Sequence, residues 1–411
     1  MPFFELTSRP KCAKISLLLN SGVTTVNIKI IKDVKTIMSN PTGVHNYFAW
    51  PTVARLQDGS LACVASGFRV GHVCPFGKAV MIRSYDDGES WTRPEVIIDT
   101  PLDDRDAGIC TFGESGVIVT SFNNTVKFQR GHHDITPYKN AYLDVVEKSG
   151  DEEKYLGSTA VISHDGGKSF GELIKLPVSA PHGPITLNDG SIFYVGRIFR
   201  GDYSAFEEKV IRCYKVNTDG TAEMLGKIDD IEGYGSWEPH AIQLPDGKII
   251  VHIRVQDERT EKAFTTYQCE SYDGGKTFTK PHAILPIKGG APSHLMLHSS
   301  GMLISTYSYR MPPYGIRAMF SRDGGESWDV GNRIFVNGMS KTPDGIPIIA
   351  DPQHADDFDP MNISADYDLG YPASVELDDG SILTVFYAHE KGGSRSASPA
   401  VIRQIVWKFE E

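Results

Sequence analysis

Tyr371, Glu238, Asp106, Arg254 and Arg197 stand far apart along this chain of 411 residues, yet each holds a fixed place in one of six similar segments. Glu238 and Tyr371 lie nine residues before a turn glycine, and Arg197 and Arg254 lie seven after one. Asp106 takes the equivalent of the first place in a segment with one extra residue. If these places converge, two carboxylates, a phenol and two guanidiniums share one site. A phenol with a pKa near 10 is a weak nucleophile at neutral pH, so a carboxylate that accepts its proton would activate it. A second carboxyl could protonate a departing oxygen, and guanidiniums could grip polar or anionic groups.

The segments that must position these residues are "WPTVARLQDGSLACVAS" (50–66), "DAGICTFGESGVIVTSF" (106–122), "PHGPITLNDGSIFYVGR" (181–197), "EPHAIQLPDGKIIVHIR" (238–254), "PSHLMLHSSGMLISTYS" (292–308) and "YPASVELDDGSILTVFY" (371–387). Each reads as strand, turn and strand, with Asp-Gly or a variant supplying the positive φ of a tight hairpin. The turn glycines Gly59, Gly116, Gly190, Gly247, Gly301 and Gly380 are separated by 57, 74, 57, 54 and 79 residues. About 54 residues suits a four-stranded sheet with its loops. Two long gaps carry insertions, at about 123–156 and 331–368.

A second repeat falls where the third strand should turn into the fourth. "SYDDGESW" (84–91), "SHDGGKSF" (163–170), "SYDGGKTF" (271–278) and "SRDGGESW" (321–328) share one pattern, and "VNTDGTAE" (216–223) is a degraded fifth copy. Their Ser and Asp satisfy the turn's own backbone, and Trp or Phe packs between sheets. The sixth unit ends at "AVIRQIVWKFEE", one strand short. Residues 11–35 are expected to supply that strand, closing a ring and removing its open edge. The prediction is an all-β, six-bladed β-propeller in one domain spanning 1–411, with 1–45 as closing strand and lead-in and 46–411 as the blades.

Composition narrows the function. A net charge of −11 argues against nucleic acid and anionic membrane as partners, since both need a basic face. The six cysteines are scattered without C-x-x-C spacing and read as buried free thiols. No signal sequence and no stretch of 18 apolar residues is seen, so a cytoplasmic location is expected. No Cys/His cluster suggests a metal, and no cofactor is expected.

In a propeller the first strand of each blade lines the central channel, and a hairpin returns to the level it left. One mouth should therefore carry Asp106, Glu238, Tyr371, Arg197 and Arg254, with His182 and His294 one or two positions inside. Trp50 holds the same place in the first blade, as core or as a sugar platform. The loop "GFRVGHVCPFGK" (67–78) brings Arg69 and His72 toward this mouth, and "DDRDAG" (103–108) adds Arg105. Each residue also has a structural reading: Arg254 as an ion-pair partner of Glu238, Tyr371 as packing, the histidines as core.

The whole chain after residue 45 resembles the sialidase superfamily, six-bladed propellers whose octapeptide repeats are Asp-boxes. "YPASVELDDGSILTVFYAHE" (371–390) resembles the segment bearing that family's tyrosine nucleophile. "WEPHAIQLPDGKIIVHIR" (237–254) resembles the segment bearing its activating glutamate and one arginine of its substrate-binding triad. The resemblance implies Tyr371 as nucleophile, Glu238 as its base and Arg254 as a triad member. The pattern departs elsewhere: Ala49 stands where the first arginine belongs, and Cys74-Pro75-Phe76 where the acid/base aspartate belongs. Arg310 and Arg317 are the candidates for the third arginine. Asp106, or else His72, would then protonate the leaving oxygen while Arg197 and Arg254 hold the substrate.

The expected activity is that of a sialidase-like exo-glycoside hydrolase removing a terminal, acidic or neutral, sugar from a carbohydrate substrate, with retention through Tyr371. Two other readings stay open at this point. One is a carbohydrate lyase acting on a uronic-acid sugar; the other is a non-catalytic glycan-binding or scaffold propeller. The insertions could form a lid or a subunit contact in a homo-oligomer.

Overall fold

The structure is a computed structural model that describes residues 26–132, 135–198, 210–257, 264–284, 290–309, 315–335, 369–389 and 399–410. Its strands form six four-stranded antiparallel sheets, the six-bladed β-propeller expected from the repeats. Strand β1 (Asn27–Met38) leads in, and blade one follows as β2 (Tyr47–Arg55), β3 (Leu61–Arg69), β4 (Lys78–Ser84) and β5 (Glu95–Ile98). Blade two holds β6 (Arg105–Phe112), β7 (Gly116–Phe122), β8 (Ser158–Ser163) and β9 (Ile174–Leu176). Blade three holds β10 (Ile185–Thr186), β11 (Ile192–Arg197), β12 (Ile211–Val216) and β13 (Ala222–Ile228). Blade four holds β14 (Tyr234–Gln243), β15 (Ile249–Asp257), β16 (Phe264–Ser271) and β17 (His282–Ala283). Blade five holds β18 (Gly290–Leu297), β19 (Leu303–Tyr309), β20 (Gly315–Ser321) and β21 (Asp329–Phe335). Blade six holds β22 (Gly370–Glu376), β23 (Ile382–His389) and β24 (Ala400–Glu410).

Ring closure comes from β1, which pairs antiparallel with β24 from Asn27↔Glu410 to Met38↔Ile402. Of the expected 11–35, residues 27–35 lie in this strand, which runs on to Met38, and residues 11–25 lie outside the described residues. Around the ring β22 meets β2, β2 meets β6, and β14 meets β18, which meets β22. Apolar side chains between blades supply the cores, such as Trp50, Leu61, Val385 and Ile402 between blades one and six.

The octapeptides act as turn clasps and as inter-blade rivets. In the first, Ser84 Oγ accepts the Gly88 N–H at 2.8 Å, while Asp86 accepts the Ser90 N–H at 2.8 Å and its hydroxyl at 2.5 Å. Trp91 Nε1 then donates to Gln404 on blade six at 2.7 Å, and Trp328 Nε1 to Gln268 on blade four at 2.7 Å. Each tryptophan so ties its own blade to the one before it.

The first insertion is helical. It forms α1 (Val126–Gly131), α2 (Pro137–Ser149) and α3 (Asp151–Tyr155). Thr136 caps α2, proline occupies its first turn, and Gly150 ends it at φ 74°. The helices bury Val126, Leu143 and Val146 against Leu102. Of the second insertion, residues 331–335 complete β21 and the rest lie outside the described residues. Cys63, Cys74, Cys110, Cys213 and Cys269 are free and buried; Cys12 lies outside the described residues. No helix among the described residues is long and apolar enough to cross a membrane.

Blades two and three touch backbone to backbone beside the channel. A Cβ at Gly108 would stand 2.3 Å from the Gly183 nitrogen and 2.4 Å from its Cα, with no flexible side chain to yield. Gly108→Ala should therefore cost about 1–3 kcal/mol through overpacking and move Asp106, two residues away. An unchanged urea midpoint for that variant would contradict this contact.

Candidate active site

Four residues in equivalent places of the inner strands hold the left-handed backbone conformation: Trp50 (φ 55°), Asp106 (φ 50°), Glu238 (φ 46°) and Tyr371 (φ 50°). Each sits in a register shift against the second strand, at Ala49/Thr52, Arg105/Gly108, Trp237/His240 and Gly370/Ala373. A bulge of this kind breaks the in-out alternation and re-aims a side chain. Such a conformation costs about 1–3 kcal/mol at a non-glycine residue, so the surroundings must impose it. Ser121 Oγ, for example, donates to the Arg105 carbonyl at 2.9 Å just before the bulge.

The four side chains meet at a cavity of about 330 Å³ whose wall also includes His72, Arg105, Arg197, Trp237, Arg254 and Gln256. Within it Tyr371 OH donates to Glu238 Oε1 at 2.5 Å, and Arg254 Nη1 donates to Glu238 Oε2 at 2.8 Å. Both carboxylate oxygens are thus engaged, one by a phenol that can hand over its proton and one by a fixed cation. Tyr371 is 6% exposed.

Asp106 is also 6% exposed, and its Oδ1 has no hydrogen-bond partner. Burial pushes its carboxyl up to about 7, against the pull of Arg105 and with a further push from Glu238. A carboxyl that holds its proton near neutral pH, opening on a cavity that holds a phenol–carboxylate pair, can act as a proton donor.

The arginines divide into wall and buttress. Arg197 lies over the Trp237 indole at 3.9 Å and donates to the Ser236 carbonyl at 3.1 Å. Arg105 lies over the Trp50 indole at 4.1 Å and donates to the His72 carbonyl at 2.5 Å. Arg69, expected at the mouth, is instead fully buried behind it, ion-paired with Asp103 at 2.5 Å. Its guanidinium also stands 4.9 Å from the Trp50 ring. Trp50 is 1% exposed, so it serves as packing for guanidiniums and not as an open sugar platform. Arg317 is buried in β20 over the Tyr309 ring at 3.4 Å and does not line the cavity; Arg310 lies outside the described residues. Ala49 is fully buried, and Cys74 donates its N–H to Asp103 at 3.1 Å, so neither position presents a charged group.

His72 lines the cavity with Nε2 facing Arg105 Nη2 at 3.4 Å and Nδ1 facing Tyr47 OH at 3.0 Å. A guanidinium can only donate, so Nε2 is an acceptor in this pair. His182 and His294 do not line this cavity. With His240 they plug the channel beneath it, at ring separations of 4.3 to 5.5 Å, and line a second cavity on the far side. His182 lies 6.3 Å from the Tyr371 ring. Burial holds all three imidazoles well below their ordinary value, His294 at about 3. No group of three or more His, Cys, Asp or Glu among the described residues is placed to hold a metal.

Trp237 and Gln256 were not foreseen. Gln256 stands two residues beyond Arg254, on the same strand face, and period-two spacing could have found it. Trp237 adjoins Glu238, and only the bulge lets neighbours face one cavity.

No family model matches this chain, and no curated protein sequence does. In fold it is similar to a protein of unknown function from Dyadobacter fermentans, at 19% identity and TM-score 0.68, over 93% of this chain and 99% of that one. It is similar to the NanB sialidase from Streptococcus pneumoniae at 15% identity and TM-score 0.60, over 91% of this chain and 70% of that one. It is also similar to the intramolecular trans-sialidase from Ruminococcus gnavus at 12% identity and TM-score 0.60, over 93% and 98% respectively. The structural neighbours thus include sialidases, which share the six-bladed propeller with this chain.

The histidine plug has a consequence for stability. Unfolded histidines take up protons below about pH 6.5, whereas these buried rings stay neutral to lower pH, so their contribution is complete above pH 6.5 and erodes as pH falls. Asp104 and Asp106, both raised to about 7 chiefly by burial, act in the opposite sense over the same range. Comparison with His294→Gln isolates the imidazole: between pH 6.5 and 4 the variant's stability should fall less steeply, by about 1.4 kcal/mol per pH unit. Parallel curves from denaturant titration would show that His294 is not buried neutral.

Proposed function

We propose that this protein is a sialidase-like exo-glycoside hydrolase that removes a terminal acidic sugar with retention of configuration. The observation that carries this reading is the chain Tyr371–Glu238–Arg254, hydrogen-bonded end to end at one wall of a cavity that also holds Asp106, whose carboxyl burial pushes up to about 7. In the first step Asp106 gives its proton to the glycosidic oxygen as the Tyr371 oxygen attacks the anomeric carbon. Glu238 takes the phenolic proton, and the bond to the leaving group breaks toward that oxygen. Water then attacks the glycosyl-tyrosine, Asp106 recovers a proton from it, and the phenolate leaves and is reprotonated from Glu238. Arg254 keeps the Glu238 carboxylate aligned. His72, turned as an acceptor toward Arg105, is not placed to donate, which leaves Asp106 as the acid.

The charge around the cavity supports an acidic substrate. Arg105, Arg197 and Arg254 face Asp106 and Glu238, so this mouth is locally positive on a chain of net charge −11 and draws anions. A neutral phenol also attacks beside an anion without the repulsion a carboxylate nucleophile would meet.

Assays with aryl glycosides, including one of sialic acid, should show Tyr371→Phe and Glu238→Gln losing kcat by roughly 10³-fold. Glycan binding that survives together with undiminished turnover in Tyr371→Phe would overturn the reading, and an unsaturated product absorbing in the ultraviolet would replace it with the lyase. For Asp106, kcat/KM on a natural glycoside should decline as pH rises through about 7, because the proton to be donated is lost. Asp106→Asn should lower that kcat/KM by about 10²–10⁴-fold and spare an activated aryl glycoside; equal losses on both would remove Asp106 from the acid role.

A further inference from the structure

We infer that the helical insertion of blade two builds a second sugar-binding subsite on the rim of the cavity, taking the part of the glycan on the leaving-group side. This inference rests on the proposed glycosidase reading for its direction. Asp106 on blade two is the proton donor and Tyr371 on blade six the nucleophile, so the leaving group must lie over blade two. The insertion emerges from that blade, between β7 and β8.

Two contacts carry its residues to the rim. His132, which ends α1, stacks on His72 at 6.3 Å with the rings 18° from parallel, and His72 is part of the cavity wall. Farther out, Tyr138 at the start of α2 lies parallel to Phe76 at 6.0 Å and 3°, with 51% of its surface exposed. Phe76 belongs to the same loop as His72, so one loop that starts at the cavity wall carries both ring pairs. A half-exposed aromatic ring backed by a second ring suits the apolar face of a pyranose, with the imidazole of His132 as a hydrogen-bonding partner for its hydroxyls.

The insertion is anchored as a fixed wall. Lys139, buried on α2, donates to the Val73 carbonyl at 3.1 Å, and Tyr142 packs on Phe76 at 4.9 Å and donates to the Pro101 carbonyl at 3.3 Å. The loop 70–77 is held from below as well, where Arg69 donates to the His72 carbonyl at 2.7 Å. A subsite on such a base is preformed, so its ligand pays little ordering entropy.

The test uses the full chain carrying Tyr371→Phe, so that glycans are bound without turnover, and an array of oligosaccharides ending in sialic or uronic acids beside the same terminal sugars as free monosaccharides. The expected result is that tri- and tetrasaccharides bind more tightly than the matching free monosaccharide, and that adding His132→Ala or Tyr138→Ala weakens the longer ligands by roughly tenfold while leaving the free monosaccharide unchanged. Tyr138→Ala removes an exposed ring and should keep the parent's melting temperature, so its result holds even if His132→Ala misfolds. Length-independent binding, equal weakening of long and short ligands, or no oligosaccharide bound at all would overturn the subsite. Failure of the glycosidase reading is separate: oligosaccharides that need Tyr138 for binding but are not cleaved by the wild-type protein would refute the reaction and leave the rim subsite standing.

Discussion

The site depends on a backbone constraint: four inner strands each hold one residue in the left-handed region, and each such residue points where strand alternation would not send it. Without those bulges Asp106, Glu238 and Tyr371 would alternate between the channel and the blade interior like any other strand residues. Glycine would adopt this conformation freely, but none of the four is glycine. The packing of six blades overrides the local preference, and the strain is concentrated at the cavity. Blades three and five carry Pro181 and Pro292 at the equivalent places, and a proline ring cannot take a positive φ. Four blades out of six therefore deliver side chains to the mouth by this device.

Charge in the mouth is managed by pairing in layers. Asp103, fully buried, holds Arg69 and Arg105, and Arg105 in turn covers Trp50 and faces His72. Glu238 is held between Arg254 and Tyr371. Asp106 stands outside these pairs with an unpartnered oxygen, and burial then favours its neutral form. Two carboxyls in one cavity thus have different surroundings, Glu238 held by a phenol and a cation and Asp106 buried without a partner at Oδ1, a division of labour that acid–base chemistry requires. Beneath them three neutral imidazoles fill the channel without adding charge.

Much of this was legible in the letters. The Asp-Gly turns and their spacing defined six blades, and the missing last strand pointed to closure by the N-terminal segment. Counting from the turn glycines brought Asp106, Glu238, Tyr371, Arg197 and Arg254 to one level. Counting could not separate Arg69 from Arg105, because which guanidinium enters the wall depends on how both share Asp103. Trp237 was hidden because neighbours on a regular strand face opposite ways. The helices of the first insertion carried their signals in Thr136-Pro137 and Gly150, but only a few buried positions such as Leu143 and Val146 mark their apolar face, too few to register as a period. His132 could not be foreseen, since its place follows from how those helices pack on the loop 70–77.

The central claim is that the Tyr371 oxygen, activated by Glu238, forms the covalent bond. Its most direct test is to quench the protein with an activated fluorinated glycoside of an acidic sugar and map the modified peptide by mass spectrometry. The account predicts one sugar attached to Tyr371 in the wild-type protein and none in Glu238→Gln on the same timescale. A sugar found on Glu238 or Asp106, or steady turnover with no adduct on Tyr371, would contradict it.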